Sequence, residues 1–118
     1  MALPTGDFHI NANGFIGTLH IASVDPQGNV AGTLTFSGEP TNHLNNVAFW
    51  NDVAQELTFI RVINPSTPST FQIFTGYLFP ANHNQPNGPS HLAGSFQAFS
   101  GTGGTAKRFR FGWFANHT

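Results

Sequence analysis

The stretch Phe71-Gln72-Ile73-Phe74-Thr75-Gly76-Tyr77-Leu78-Phe79 decides the fold. Read at a period of two, it places Gln72, Phe74, Gly76 and Leu78 on one face. Phe71, Ile73, Thr75, Tyr77 and Phe79 fall on the other. Aromatic and β-branched side chains suit the pleated surface of a strand. Both faces of this strand are apolar, although a barrel standing alone needs only one.

Outward from this stretch the pattern repeats. Toward the N-terminus, strand runs are expected near Asp7–Asn11, at Phe15–Val24, at Asn29–Ser37, at Asn46–Asn51 and at Glu56–Ile63. The central run itself extends over Thr70–Phe79, and two more follow at His91–Ser100 and Lys107–Asn116. Turn chemistry separates them: Asn13-Gly14, Asp25-Pro26-Gln27-Gly28, a polar Gly38–Asn45 loop, Asn64-Pro65, a Pro80–Pro89 loop, and Gly101-Thr102-Gly103-Gly104. No segment carries apolar residues at helical spacing over three turns; Val53–Leu57 is the best fragment and is too short. Short connections allow each strand to pair with the next as an antiparallel hairpin. The expectation is therefore one all-β domain over residues 1–118, an eight-stranded antiparallel up-and-down (meander) barrel. Closure would remove the exposed sheet edges that promote aggregation. A two-sheet sandwich is the alternative that strand count leaves open.

Composition narrows the function. Of the 118 residues, 39% are hydrophobic and only 8% are charged, with 13 Phe and 13 Gly. Four Lys plus Arg neutralise too few phosphates for electrostatic nucleic-acid binding. With no cysteine, neither a disulfide nor a thiolate metal site can form. No stretch has the length of a membrane span. No signal peptide is visible, which fits a cytoplasmic chain or a secreted one whose signal has been removed.

The chemistry-bearing residues are scattered. Histidines stand at 9, 20, 43, 83, 91 and 117, and carboxylates at Asp7, Asp25, Glu39, Asp52 and Glu56. No His-Glu-x-x-His, Gly-x-Ser-x-Gly or phosphate-loop pattern occurs. A metal held by His9 with His20, or by His83 with His91, would need convergence in space. The expectation is no catalysis, no cofactor and no metal.

Several pieces carry a resemblance. Asn11-Ala12-Asn13-Gly14 is similar to the Asn-x-Leu-Gly that leaves the first strand of the avidin and streptavidin family. Gly28-Asn29-Val30-Ala31-Gly32-Thr33-Leu34 resembles the family's Gly-x-apolar-x-Gly-Thr-Tyr except at Leu34. Phe74-Thr75-Gly76-Tyr77-Leu78-Phe79 and Arg110-Phe111-Gly112-Trp113 resemble the Phe-Thr-Gly-x-x-Phe and Arg-Val-Gly-Ile of its later strands. The four pieces occur in family order and span most of the chain.

The resemblance implies a non-catalytic binding protein whose ligand sits at the barrel mouth. Asn11, Leu34, Phe36, Gln72, Phe74, Phe96, Arg110 and Phe114 would line that site. The family's biotin contacts do not carry over. Asn11 falls where a family Asn meets the ureido oxygen, and Gln72 falls on a hydroxyl position. Phe15, Leu34 and Phe36, however, replace the polar Ser, Tyr and Ser or Thr. Phe96 takes the place of a wall Trp, and Phe114 stands where a carboxylate or amide is needed. The Trp donated by a neighbouring subunit has no counterpart near Gly104–Lys107. Desolvating a ureido group without these partners is unfavourable, so weak or no biotin binding is expected and the ligand is some other small ring-containing molecule. Arg110 has two readings: a ligand contact, or an ion pair with Asp52 or Glu56.

Two expectations about partners complete the reading. The second apolar face implies self-association as a homodimer or homotetramer, with Tyr77, Phe109, Phe111 and Trp113 in or near the interface. The amide- and imidazole-rich loops Glu39–Asn46 and Asn82–Gly88 offer a second functional class. They could bind carbohydrate beside Trp50 or Trp113, as in a lectin.

Overall fold

The computed structural model describes residues 2–63, 71–80, 84, 88–100 and 107–118, with residues 99 and 100 described by their backbone alone. Nine strands are present among them: β1 (Gly6–Ala12), β2 (Phe15–Val24), β3 (Val30–Phe36), β4 (Asn42–His43), β5 (Ala48–Asn51), β6 (Glu56–Val62), β7 (Phe71–Pro80), β8 (Ser90–Ser100) and β9 (Lys107–His117). They form one antiparallel sheet in the order β4-β3-β2-β1-β9-β8-β7-β6-β5. No described residue is helical. The architecture is thus the expected all-β meander, with nine strands in place of eight.

The additional strand is β4, inside what reads as the polar Gly38–Asn45 loop. Its two residues pair with Thr33 and Leu34. Leu44 beside it is fully buried, and its N–H donates to the Gly32 carbonyl at 2.9 Å. Two polar residues carry no alternation, so the pairing is invisible to a period-two reading. The loop is stitched along the edge of β3.

The sheet curls until its two ends approach. Asn29 bridges Phe49 in antiparallel fashion, and the Trp50 N–H donates to the Gly28 carbonyl at 2.7 Å. These bonds fasten the seam at the end where β3 begins. At the other end Phe36, Glu39, Arg61 and Ile63 border a hollow. The first hairpin there turns at Asn13 (φ 52°) and Gly14 (φ 96°). This left-handed pair is what a two-residue turn between right-twisted strands requires. The Asn11 carboxamide oxygen accepts from the Gly14 N–H at 2.8 Å and reinforces the turn.

Strand alternation sets the core. Phe8 and Ile10 of β1, Leu34 of β3, Leu57 and Phe59 of β6, and Phe74 of β7 point inward and are fully buried. Fully burying such a side chain contributes roughly 1.5–3 kcal/mol. Phe59, Phe74 and Phe96 stack in sequence, with centroids 4.7 and 4.6 Å apart. The Trp113 indole meets Phe59 and Phe74 edge-on. Its Nε1–H lies within 3.2 Å of the Thr75 carbonyl and 3.1 Å of the Ser95 carbonyl.

Gly76 makes room for that ring: a Cβ there would lie 2.4 Å from Trp113 Cζ2. The Phe-Thr-Gly segment of β7 thus has a packing reason. Trp113 is 3% exposed, which corrects its expected place in an interface. Phe111 points the same way and packs against the core. The exposed aromatic rings on the outer face of β7 and β9 are Tyr77, Phe79 and Phe114.

Candidate functional site

The hollow at the end opposite the Asn29–Phe49 bridge has a volume of about 350 Å³. β3 contributes Phe36, β6 Arg61, β7 Gln72, β8 Phe96 and Ala98, and β9 Phe111; Ala12, Asn13, Phe15, Glu39 and Ile63 complete the rim. Most of this lining is apolar, with few polar groups, as in sites that take small organic molecules. Each strand residue arrives by alternation: Phe36 follows Leu34, Arg61 follows Phe59, and Gln72 precedes Phe74, always two positions along the inward face.

Arg61 is the unexpected member. Its guanidinium carbon lies 4.9 Å from the centre of the Phe36 ring, within reach of a cation–π attraction. One terminal N–H donates to Gln72 Oε1 at 3.0 Å. Its Nε is buried and has no hydrogen-bond partner among the described residues. A buried donor left unsatisfied costs about 1–3 kcal/mol. Burial lowers the Arg61 pKa from the ordinary arginine value, while the Glu39 carboxylate works against that shift. Among the described residues, no ion pair between Glu39 and Arg61 lies within 4.0 Å, so Glu39 does not neutralise Arg61 by contact.

The residues expected to form the site separate into three groups. Phe36, Gln72 and Phe96 line the hollow. Leu34 and Phe74 are fully buried in the core beneath it. Asn11, Arg110 and Phe114 occupy the outer face, where Phe114 pairs with Asn11 across β9 and β1. Arg110 is exposed, and among the described residues it makes no ion pair with Asp52 or Glu56. Alternation forces this split: with Trp113 inside, Arg110 and Phe114 must face out. Arg61 was absent from the expected set, yet one signal marks it. It is the charged residue at the inward period of Leu57 and Phe59.

A second hollow, about 720 Å³, opens at the fastened end among Leu3, Asp25, Gly28, Trp50, Asn51 and Asp52. Its polar groups already hold turns. Asp25 accepts from the backbone N–H groups of Gln27 and Asn29 and from the Asn29 side chain. Asn51 accepts from the N–H groups of Val53 and Ala54, and Asp52 from the Trp50 indole. Part of this polar capacity is spent on the turns, and the smaller hollow, walled by three Phe rings with Arg61 and Gln72 between them, is the better candidate.

The sugar-binding expectation finds no platform at either tryptophan. Trp113 is in the core, and Trp50 is 7% exposed. Of the Asn82–Gly88 loop, only residues 84 and 88 are described. Among the described residues no three His, Asp or Glu side chains are grouped to hold a metal ion. His20 faces Asp7 across β1 and β2, whereas His9 faces Thr18; His83 lies outside the described residues. No helix among the described residues is long and apolar enough to cross a membrane.

Comparison of the chain with protein-family models, with curated proteins and with solved structures gives no match.

Proposed function

We propose that the chain is a non-catalytic binding protein that holds a small ring-containing molecule at the end of its barrel opposite the Asn29–Phe49 bridge. One observation carries this reading: an apolar hollow of about 350 Å³ among Phe36, Phe96 and Phe111, with Arg61 and Gln72 as its inward polar groups. Pockets of roughly 300–1,000 Å³ with a few placed polar groups are the usual form of small-molecule sites. The sequence pieces similar to avidin and streptavidin favour a ligand at a barrel mouth. Biotin is not the expected ligand, because Asn11, the match for a ureido contact, supports the first turn from the outer face.

The test is a ligand-observed magnetic-resonance screen of the whole chain against a panel of one- and two-ring compounds, with biotin in the panel and a glycan array beside it. Hits from the ring panel should be lost or weakened about tenfold in Phe96→Ala, the loss expected when one buried aromatic contact is removed. Glycan hits with a silent ring panel would transfer the function to the loops.

Self-association belongs to the same proposal. On the outer face Glu56, Tyr77, Ala93, Phe114, Asn11 and Ile16 stand opposite one another in a single row across β6, β7, β8, β9, β1 and β2. Tyr77, Phe114 and Ile16 are each about half exposed or more, at 46%, 49% and 62%. Exposed Tyr77, Phe114 and Ile16 in one row on a sheet face are the kind of surface that a second subunit covers.

A further inference from the structure

Arg61 places a permanent positive charge in the wall of an otherwise aromatic hollow, since a guanidinium does not lose its proton in proteins. The protein completes its coordination only in part. One face lies against Phe36, one terminal N–H donates to Gln72, and the side chain forms part of the wall of the hollow; Nε is buried and faces the protein rather than the space. Glu39 lies on the rim but outside ion-pair distance. A cation so placed, and not neutralised by a contacting carboxylate, is a specificity element for a ligand anion.

The rest of the lining describes the rest of the ligand. Phe36, Phe96 and Phe111 border the space, and the last two rings are 5.4 Å apart and tilted by 35°. Such a surface favours a flat ring packed by offset stacking or edge contact. A volume of about 350 Å³ is more than twice the roughly 150 Å³ cavity that takes up one benzene ring. It has room for two fused rings or for one ring and a short acid arm.

Resting on the mouth-binding reading, we propose that the ligand is a small aromatic monocarboxylate. Its ring lies among Phe36, Phe96 and Phe111, and its carboxylate meets the Arg61 guanidinium. The planar carboxylate matches the guanidinium fork, and a bidentate pair fixes orientation as well as charge. Gln72 accepts from Arg61 at its Oε1, and its amide N–H groups are donors of the kind a carboxylate accepts from. Glu39 on the rim disfavours a second negative charge, so the site selects monoanions over dianions.

The experiment is calorimetric titration of the full chain with 2-naphthoate, the neutral 2-naphthamide, and the cationic 2-naphthylmethylammonium. The carboxylate should bind at least about tenfold more tightly than the amide, the difference expected of hydrogen bonds to a charged partner. The ammonium compound should bind more weakly than either. Arg61→Gln should bring carboxylate and amide to within about threefold of one another, whereas Arg61→Lys should keep their order with a smaller gap. Glu39→Gln should tighten the carboxylate. An amide that binds the unaltered chain as well as the carboxylate does would overturn the proposal without use of any variant. Ring-panel hits accompanied by no 2-naphthoate binding would also overturn it and leave the mouth-binding reading intact. Silence across both the panel and the three naphthyl compounds would end both.

Discussion

Adding one methyl group at Gly76 tests the central packing of the barrel. A Cβ at this position would lie 2.4 Å from Trp113 Cζ2 and 3.1 Å from the Ala93 carbonyl oxygen. Carbon atoms at their best separation are about 3.5–4.0 Å apart, so the indole must retreat by about 1 Å. It has nowhere to go, because Phe59 and Phe74 hold it edge-on at centroid distances of 5.6 and 5.9 Å. Retreat would also stretch the bonds from Nε1 to the carbonyls of Thr75 and Ser95. Overpacking costs about 1–3 kcal/mol, and a weakened buried hydrogen bond adds about 1 kcal/mol. The smaller unfolded-state entropy of alanine offsets about 0.5 kcal/mol. Gly76→Ala should therefore destabilise by about 2.5 kcal/mol, or about 10 °C in Tm for a chain of this size. Urea unfolding followed by far-UV circular dichroism measures it. The same substitution in a Trp113→Phe background should cost clearly less, because the benzyl ring has no atom at the Cζ2 position and only the 3.1 Å approach to the Ala93 carbonyl oxygen remains. Equal losses in the two backgrounds, within about 0.5 kcal/mol, would refute the claim that Gly76 exists to admit the indole.

Two further outcomes follow from other parts of the molecule. Phe114→Asp puts a charge in the middle of the exposed row, beside Asn11 and Ala93, and should abolish the proposed self-association, read by light scattering as a fall to monomer mass; a monomeric parent chain at micromolar concentration would rule out self-association through this face. Hydrogen bonds, the Asn29 side chain first, hold the Asp25 carboxyl below its ordinary value of 3.8. The stabilisation from its charge should be fully present above that value and disappear as pH falls through the lower folded-state value. The Tm gap between the parent and Asp25→Asn should accordingly be constant at neutral pH and close below about pH 4; a gap that persists in acid would show that the carboxylate charge plays no part.

Most of the strand framework is legible in the sequence because the chemistry of the turns is strict. Asn13-Gly14 can supply two consecutive positive φ values, and β1 and β2 end and begin on either side of it. Phe15–Val24 emerges with the bounds expected, and the later strands differ by one or two residues. β4 escapes because Asn42 and His43 are held by a neighbour's backbone and by the buried Leu44 next to them, neither of which leaves a local pattern.

The site was only partly legible, and the reason is the parity of strands. A family-like register puts Arg110 and Phe114 inward, but β9 contains Phe109, Phe111 and Trp113 at the alternate positions. Burying the largest apolar ring outweighs any preference of the neighbouring positions, and a shift of one residue reverses every side chain on the strand. Once Trp113 is inside, Arg110 and Phe114 are committed to the surface. On β1, the inward Phe8, Ile10 and Ala12 commit Asn11 in the same way. The same parity, applied to Glu56-Leu57-Thr58-Phe59-Ile60-Arg61, puts Arg61 inside with Leu57 and Phe59. An arginine on the buried parity of an apolar strand is expensive unless something answers its charge. Near the middle of the barrel it would require a carboxylate from the chain itself. At the last inward position of β6, beside the open hollow, the answering group can come from outside, which is the physical basis for reading this end of the barrel as a binding site.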